Sequence, residues 1–235
     1  MKIAVLTSLF GARQPLRRLS KKELDYQKDV DFIAYVDEEQ PESKGWTQII
    51  SPVFSTDIYK YRRSAKLPKI LPQFVQPDYD AYLWIDSCQI PRFHPLELYD
   101  KFLKGNDMAL FQHPIRDCLY QEGVVCAQTN RDDPQLIKNQ LQEYAHIGVP
   151  QNYGLNELAC FMMSNNDITK ELSLTWWEQV CRYSSRDQIS FPFVLYKMRQ
   201  MNKDVKISII PGYIHDQRSN DYFQKIPEPN LIRKH

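Results

Sequence analysis

The stretch that most constrains this 235-residue chain is AYLWIDSCQ, residues 81–89. Five apolar or aromatic residues in succession end abruptly in Asp86, followed by Ser87 and Cys88. An unbroken apolar run of that length reads as a strand covered on both faces. Sheets covered on both faces belong to α/β architectures, in which ligands collect at the carboxyl ends of the strands. An acid at that point either faces a site or caps the next turn, and the motif alone leaves both open.

The flanking sequence supports the same architecture. Residues 2–9 and 31–36 are short aliphatic runs bounded by polar clusters, residues 46–50 a weaker one, and residues 108–112 and 158–163 two more. Between them the spacing predicts helices over 57–71, despite Pro68, and over 95–103, where Gly105 gives the stop. Asp133-Pro134 pairs an N-cap with a first-position proline and predicts a helix over 134–144. Residues 167–182 place Ile168, Leu172, Thr175, Trp176 and Val180 at helical spacing, with the Trp176-Trp177 pair read as core, and 189–201 reads as a last helix. Strands alternating with helices predict an α/β fold, a mixed, mostly parallel sheet flanked by helices, in one domain over 1–235. No GxGxxG or P-loop pattern occurs among the seven glycines.

Thirty basic against twenty-nine acidic residues leave a formal charge of +1, which removes the broad basic footprint of a nucleic-acid-binding protein. Five cysteines without a CxxC pair fit a reducing compartment. The opening MKIAVLTSLFG reads as a first strand, since Thr7 and Ser8 interrupt it. No run reaches the ~20 apolar residues of a membrane span. The chain is therefore expected in the cytoplasm. The cluster Arg13, Arg17, Arg18, Lys21 and Lys22 reads as surface, or as a peripheral contact with an anionic membrane.

Three segments could carry chemistry. In Ser184-Ser185-Arg186-Asp187-Gln188, Ser185 and Gln188 have capping-box spacing, which puts Asp187 in a first helical turn. The dipole and free N–H groups there favour its carboxylate, suiting it to act as a base, nucleophile or cation stabiliser. FQHPIRDCLYQEG gathers His113, Arg116, Asp117 and Glu122 after a strand, as a sugar or phosphate pocket or as a loop network. YKYRRSAKLPK interleaves Tyr59 and Tyr61 with Arg62, Arg63, Lys66 and Lys69; such a face binds a diphosphate and stacks a base, or is simply solvated.

Taken together, SAKLPKILP, YLWIDS, HPIRDCLYQEG, GLNELACFMMSNN and WWEQVCRYSSRDQISFPFVLYKM resemble a glycosyltransferase-like family long filed as a domain of unknown function. Its members include plant mucilage-related proteins and proteins of bacterial polysaccharide loci. The resemblance implies a GT-A-like fold, related to the retaining group that includes glycogenin and bacterial lipopolysaccharide galactosyltransferases. It implies transfer of a sugar from a nucleotide donor, a UDP-sugar, to a glycan or lipid-linked acceptor in surface polysaccharide biosynthesis. In that group a D-x-D motif holds a divalent metal, usually manganese, and through it the diphosphate. Asp86 matches the first acid, with Ser87 beside it, but Cys88 stands in place of the second, and a thiol is a poor ligand for a hard ion.

By the same resemblance Thr7, Ser8 and Asp37 line the nucleotide pocket, and Arg62 or Lys66 contacts the diphosphate. Asn156 and Glu157 approach the sugar, beside His113, Arg116 and Glu122, which the polar segment itself offers as substrate contacts. Asp187 and Gln188, with Arg186, sit near the anomeric carbon, and His215 adds a late metal or phosphate contact. A binding module that kept the fold without turnover is the alternative, and a hydrolase using Asp187 the third reading.

Overall fold

The computed structural model describes residues 1–11, 15–214 and 220–226. Seven strands form one sheet in the order β3-β2-β1-β4-β7-β6-β8. They are β1 (Ile3–Leu9), β2 (Val30–Val36), β3 (Thr47–Ile50), β4 (Ala81–Ile85), β6 (Met108–Gln112), β7 (Asn156–Ser164) and β8 (Ile207–Ile210). Every pairing is parallel except those of β7, which runs against both β4 and β6. The mixed, mostly parallel sheet expected from the sequence is thus the one observed.

The apolar runs are continuous because the sheet is buried on both faces. Ala4, Leu6, Tyr82 and Trp84 point into one core, and Ile3, Val5, Ala81, Leu83 and Ile85 into the other. The first core packs under α2 (Lys60–Ile70), α5 (Leu119–Gln128), α6 (Pro134–Ile147), α7 (Asp167–Arg182) and α8 (Asp187–Gln200). Over the second lie α1 (Lys21–Tyr26) and α4 (Pro95–Leu98), which continues as a π-helical turn over Tyr99–Leu103. A short α3 (Pro72–Val75) leads into β4, and β5 (Gln89–Pro91) pairs with β9 (Phe223–Lys225) beside the main sheet. Trp176 is fully buried, while Trp177 is half-buried with Phe54 edge-on at 5.7 Å.

Three local readings are corrected. Arg17 is not free surface: its guanidinium lies 2.6 Å from the buried Glu23 carboxylate and donates to the Gln89 carbonyl. Glu23 in turn closes a capping box with Ser20 at the start of α1. Arg13, from the same basic cluster, lies outside the described residues. The second half of the 111–123 segment is not loop but the first turns of α5, where Gly123 lets α6 approach; a Cβ there would lie 2.7 Å from Leu141. Ser185 and Gln188 do not form a capping box, because the Ser185 hydroxyl and N–H both donate to the buried Asp132 carboxylate. A buried acid outcompetes the local helix end for that hydroxyl.

Candidate active site

The carboxyl edge of the sheet gathers residues from six strand ends. Thr7 and Ser8 lie near the end of β1, Asp37 follows β2, Asp86 and Ser87 follow β4, and His113 follows β6. Because β7 runs the other way, it delivers Asn156 and Glu157 to this edge as it enters the sheet. Past β8, Ile214 closes the group by donating its N–H to Glu157 Oε2 at 2.8 Å.

Several of these side chains already hold neighbouring backbone. The Ser8 hydroxyl donates to the Ala65 carbonyl and ties β1 to α2. Asp37 accepts the Gly11 N–H at 2.8 Å, in a turn where Gly11 has φ +57° and any Cβ would collide with the Tyr61 ring. Gln188 donates to the Asn156 carbonyl. The Thr7 hydroxyl is buried with no hydrogen-bond partner among the described residues. Glu157 has its carboxyl pushed up to about 7 by burial, against the opposing Ile214 N–H.

His113, Arg116 and Glu122 pair chiefly with one another. His113 Nδ1 accepts the N–H groups of Ile115 and Arg116. Arg116 Nε donates to Glu122 Oε2 at 2.8 Å, and its Nη2 lies 2.7 Å from the same oxygen. Cys126 donates its thiol to the other carboxylate oxygen of Glu122. Asp117 contributes its carbonyl to the Gly154 N–H.

At the centre lies Asp187, buried in the first turn of α8. Lys66 Nζ and Lys69 Nζ sit 2.8 and 2.7 Å from the same oxygen, Oδ2. Both lysines project from one face of α2, as residues three apart do. Lys69 also lies 3.9 Å from Asp86 Oδ1 and over the Trp84 ring at 5.5 Å. Burial alone would raise the Asp187 carboxyl, but the Lys66 and Lys69 ammoniums, with Arg186, hold it well below the usual carboxylate range. The ionised state expected from the helix start is therefore present, with the two lysines as its main cause.

Burial drags Lys66 down to about 8, with the Lys69 charge reinforcing it and Asp187 opposing. For Lys69 burial is outweighed by Asp187 and Asp86, and its ammonium is held above the ordinary range. Arg62 is held low by burial and by Arg186. Arg62 Nη1 and Arg186 Nε are buried without a hydrogen-bond partner among the described residues. Lys69 is the member of this cluster hardest to single out from sequence. The signal is that 62, 66 and 69 share one face of a helix whose apolar residues are few.

A divalent cation at Asp86 can be tested against this donor set. Asp86 Oδ1 accepts the Trp84 indole N–H at 2.9 Å and already faces the Lys69 ammonium. Across the turn stands a thiol, Cys88, where a hard ion requires oxygen. No group of three His, Cys, Asp or Glu side chains suited to a metal exists among the described residues. His215 lies outside them. Among the described residues, the donor set does not fit a resident divalent cation.

Comparison with known proteins finds relatives in sequence and in structure. The mouse xyloside xylosyltransferase 1 structure covers 89% of this chain and 85% of its own, at 9% identity and a TM-score of 0.48. The galactosyltransferase LgtC, solved with donor and acceptor sugar analogs, covers 83% and 70%, at 12% identity and 0.42. Likeness of that size carries no argument about chemistry. A protein of Arabidopsis thaliana described as "Probable hexosyltransferase MUCI70" is 26% identical over 147 residues, which is 58% of this chain and 25% of that protein. The chain thus spans about a quarter of that relative's length. The family model "TOD1/MUCI70, glycosyltransferase-like domain" matches residues 1–218, which hold the whole seven-stranded sheet and its helices, and the chain belongs to that family.

Proposed function

We propose that this domain transfers a sugar from a nucleotide donor, a UDP-sugar, to a glycan or lipid-linked acceptor, in the assembly of a surface polysaccharide. The observation that carries the reading is the cationic cluster Lys66, Lys69 and Arg186 around Asp187, at the sheet edge where α/β enzymes bind their ligands. Sugar transfer releases a diphosphate whose leaving oxygen gains charge as the glycosidic bond breaks. Fixed cations in a poorly solvated site stabilise that charge without reorganising. In this reading Arg186, Asp187 and Gln188 lie on the reacting side, and Asn156 and Glu157 border the sugar. Thr7, Ser8 and Asp37 edge the nucleotide. The family resemblance supports retention of anomeric configuration.

The test is a nucleotide-release screen across UDP-, GDP- and CMP-sugars, with and without glycan acceptors. Acceptor-dependent release of UDP is the expected result. Release indifferent to every acceptor would point to a hydrolase, and saturable binding with no release to a binding module. Proton NMR of the first-formed product reads the anomeric outcome.

A further inference from the structure

We infer that the donor diphosphate is bound directly by the Lys66 and Lys69 ammoniums, backed by Arg62 and Arg186, in place of a divalent cation. The inference rests on the nucleotide-sugar reading above and specifies how its diphosphate is held.

The first ground is the charge arithmetic of one oxygen. Two ammoniums converge on Asp187 Oδ2 and the half-exposed Asp86 lies 3.9 Å from Lys69, so two carboxylates balance the two lysines and any surplus comes from the arginines. Arg186 adds a third cation close enough to depress the Asp187 carboxyl further. A buried surplus charge is costly unless a counter-ion meets it. An anion is the ligand that balances such a site, and a metal ion is one it repels.

The second ground is unused donor capacity. Each ammonium carries three N–H donors and each guanidinium five. Arg62 Nη1 and Arg186 Nε are buried without a hydrogen-bond partner among the described residues. Tetrahedral phosphate oxygens, several per group, are the acceptors that could take up such donors together.

The third ground is access. Side-chain exposure falls from 44% at Asp86 to 15% at Lys66 and 3% at Lys69, which makes Lys66 the entrance and Lys69 the floor. Asp86, the half-exposed carboxylate beside them, is engaged by Trp84 and Lys69.

UDP binding to the full chain, measured by calorimetry in EDTA and again in millimolar manganese, tests this. Affinities within about threefold of each other are expected. Inorganic pyrophosphate should compete and uridine should not. Lys66→Gln should weaken UDP by at least about tenfold in both buffers, with Lys66→Arg retaining most of the affinity. UDP binding that appears only with manganese, or a Lys66→Gln variant rescued by it, would overturn the inference and leave the nucleotide-sugar reading standing. Binding in neither buffer would overturn both. The comparison in wild-type protein needs no variant to fold.

Discussion

Two buried ionic groups at the same sheet edge are built to opposite rules. In the Arg116–Glu122 pair one cation meets one acid, and His113 and Cys126 take up neighbouring N–H groups and the remaining carboxylate oxygen. Around Asp187 two lysines share a single oxygen, while arginine nitrogens nearby lack partners among the described residues. The first arrangement is satisfied chiefly within itself, touched by Arg186 at Cys126, and holds the loop between β6 and α5 in shape. The second is unbalanced by charge, and that imbalance marks a place where a ligand completes the structure. Counting charges and donors separates frame from site where burial alone cannot.

The strongest challenge to that contrast is Asp187→Asn. It leaves the buried Lys66 without its close carboxylate and Lys69 with only Asp86 at 3.9 Å, and breaking such a pair from one side costs roughly 3–5 kcal/mol. Denaturant unfolding should show a loss of that size, and bound UDP should restore part of it by standing in for the missing anion. A fully stable variant would mean that the lysines do not depend on Asp187.

Next in size is Glu122→Gln. It removes the charge that Arg116 faces and should lower stability by about 2 kcal/mol, the range for a hydrogen bond to a charged group. UDP affinity should not change. Nucleotide binding that falls along with stability would place this network in the site.

The smallest effect is a pH dependence. Lys66 is lowered by burial to about 8, with Asp187, Lys69 and Asp86 as the charged groups facing it. Its ammonium is present below that value and lost as the pH rises through it, while Lys69, held above the ordinary range, stays charged. UDP affinity should therefore be highest below pH 8 and fall by about tenfold by pH 9, one decade of deprotonation. A flat calorimetric profile from pH 7 to 9 would remove Lys66 from the contact.

Much of the scaffold was legible because local signals agreed with the tertiary answer. The run ending at Asp86, the Asp133-Pro134 helix start and the spacing from Ile168 to Val180 each specify an element unaided, and β6 and α7 have the expected ends. What failed was competition from far along the chain. Ser185 has the spacing of a cap, but Asp132, fifty-three positions away, takes its hydroxyl. Arg17 sits in a run of like charge, yet Glu23, Gln89 and Trp46 draw it inward. The site was half legible for the same reason. Asp86, Lys66 and Asp187 stand out by position, but the convergence of α2 and α8 on a single oxygen has no trace in local spacing.

The reversed direction of β7 constrains the helix after it. A strand entering the sheet at the reactive edge must leave it at the far edge, so the chain has to climb back before α8 can begin there. The climb is α7, sixteen residues or about 24 Å at 1.5 Å per residue, close to the ~30 Å that the nine residues of β7 descend. This helix works as a gauge block, setting the height at which Asp187 meets α2. One residue inserted into it would turn its last residues by about 100° and lift them by about 1.5 Å, a shift that the non-helical segment 183–186 would have to absorb before Asp187. Loops at the edge are free to vary in length, but the helix that never touches the ligand is not.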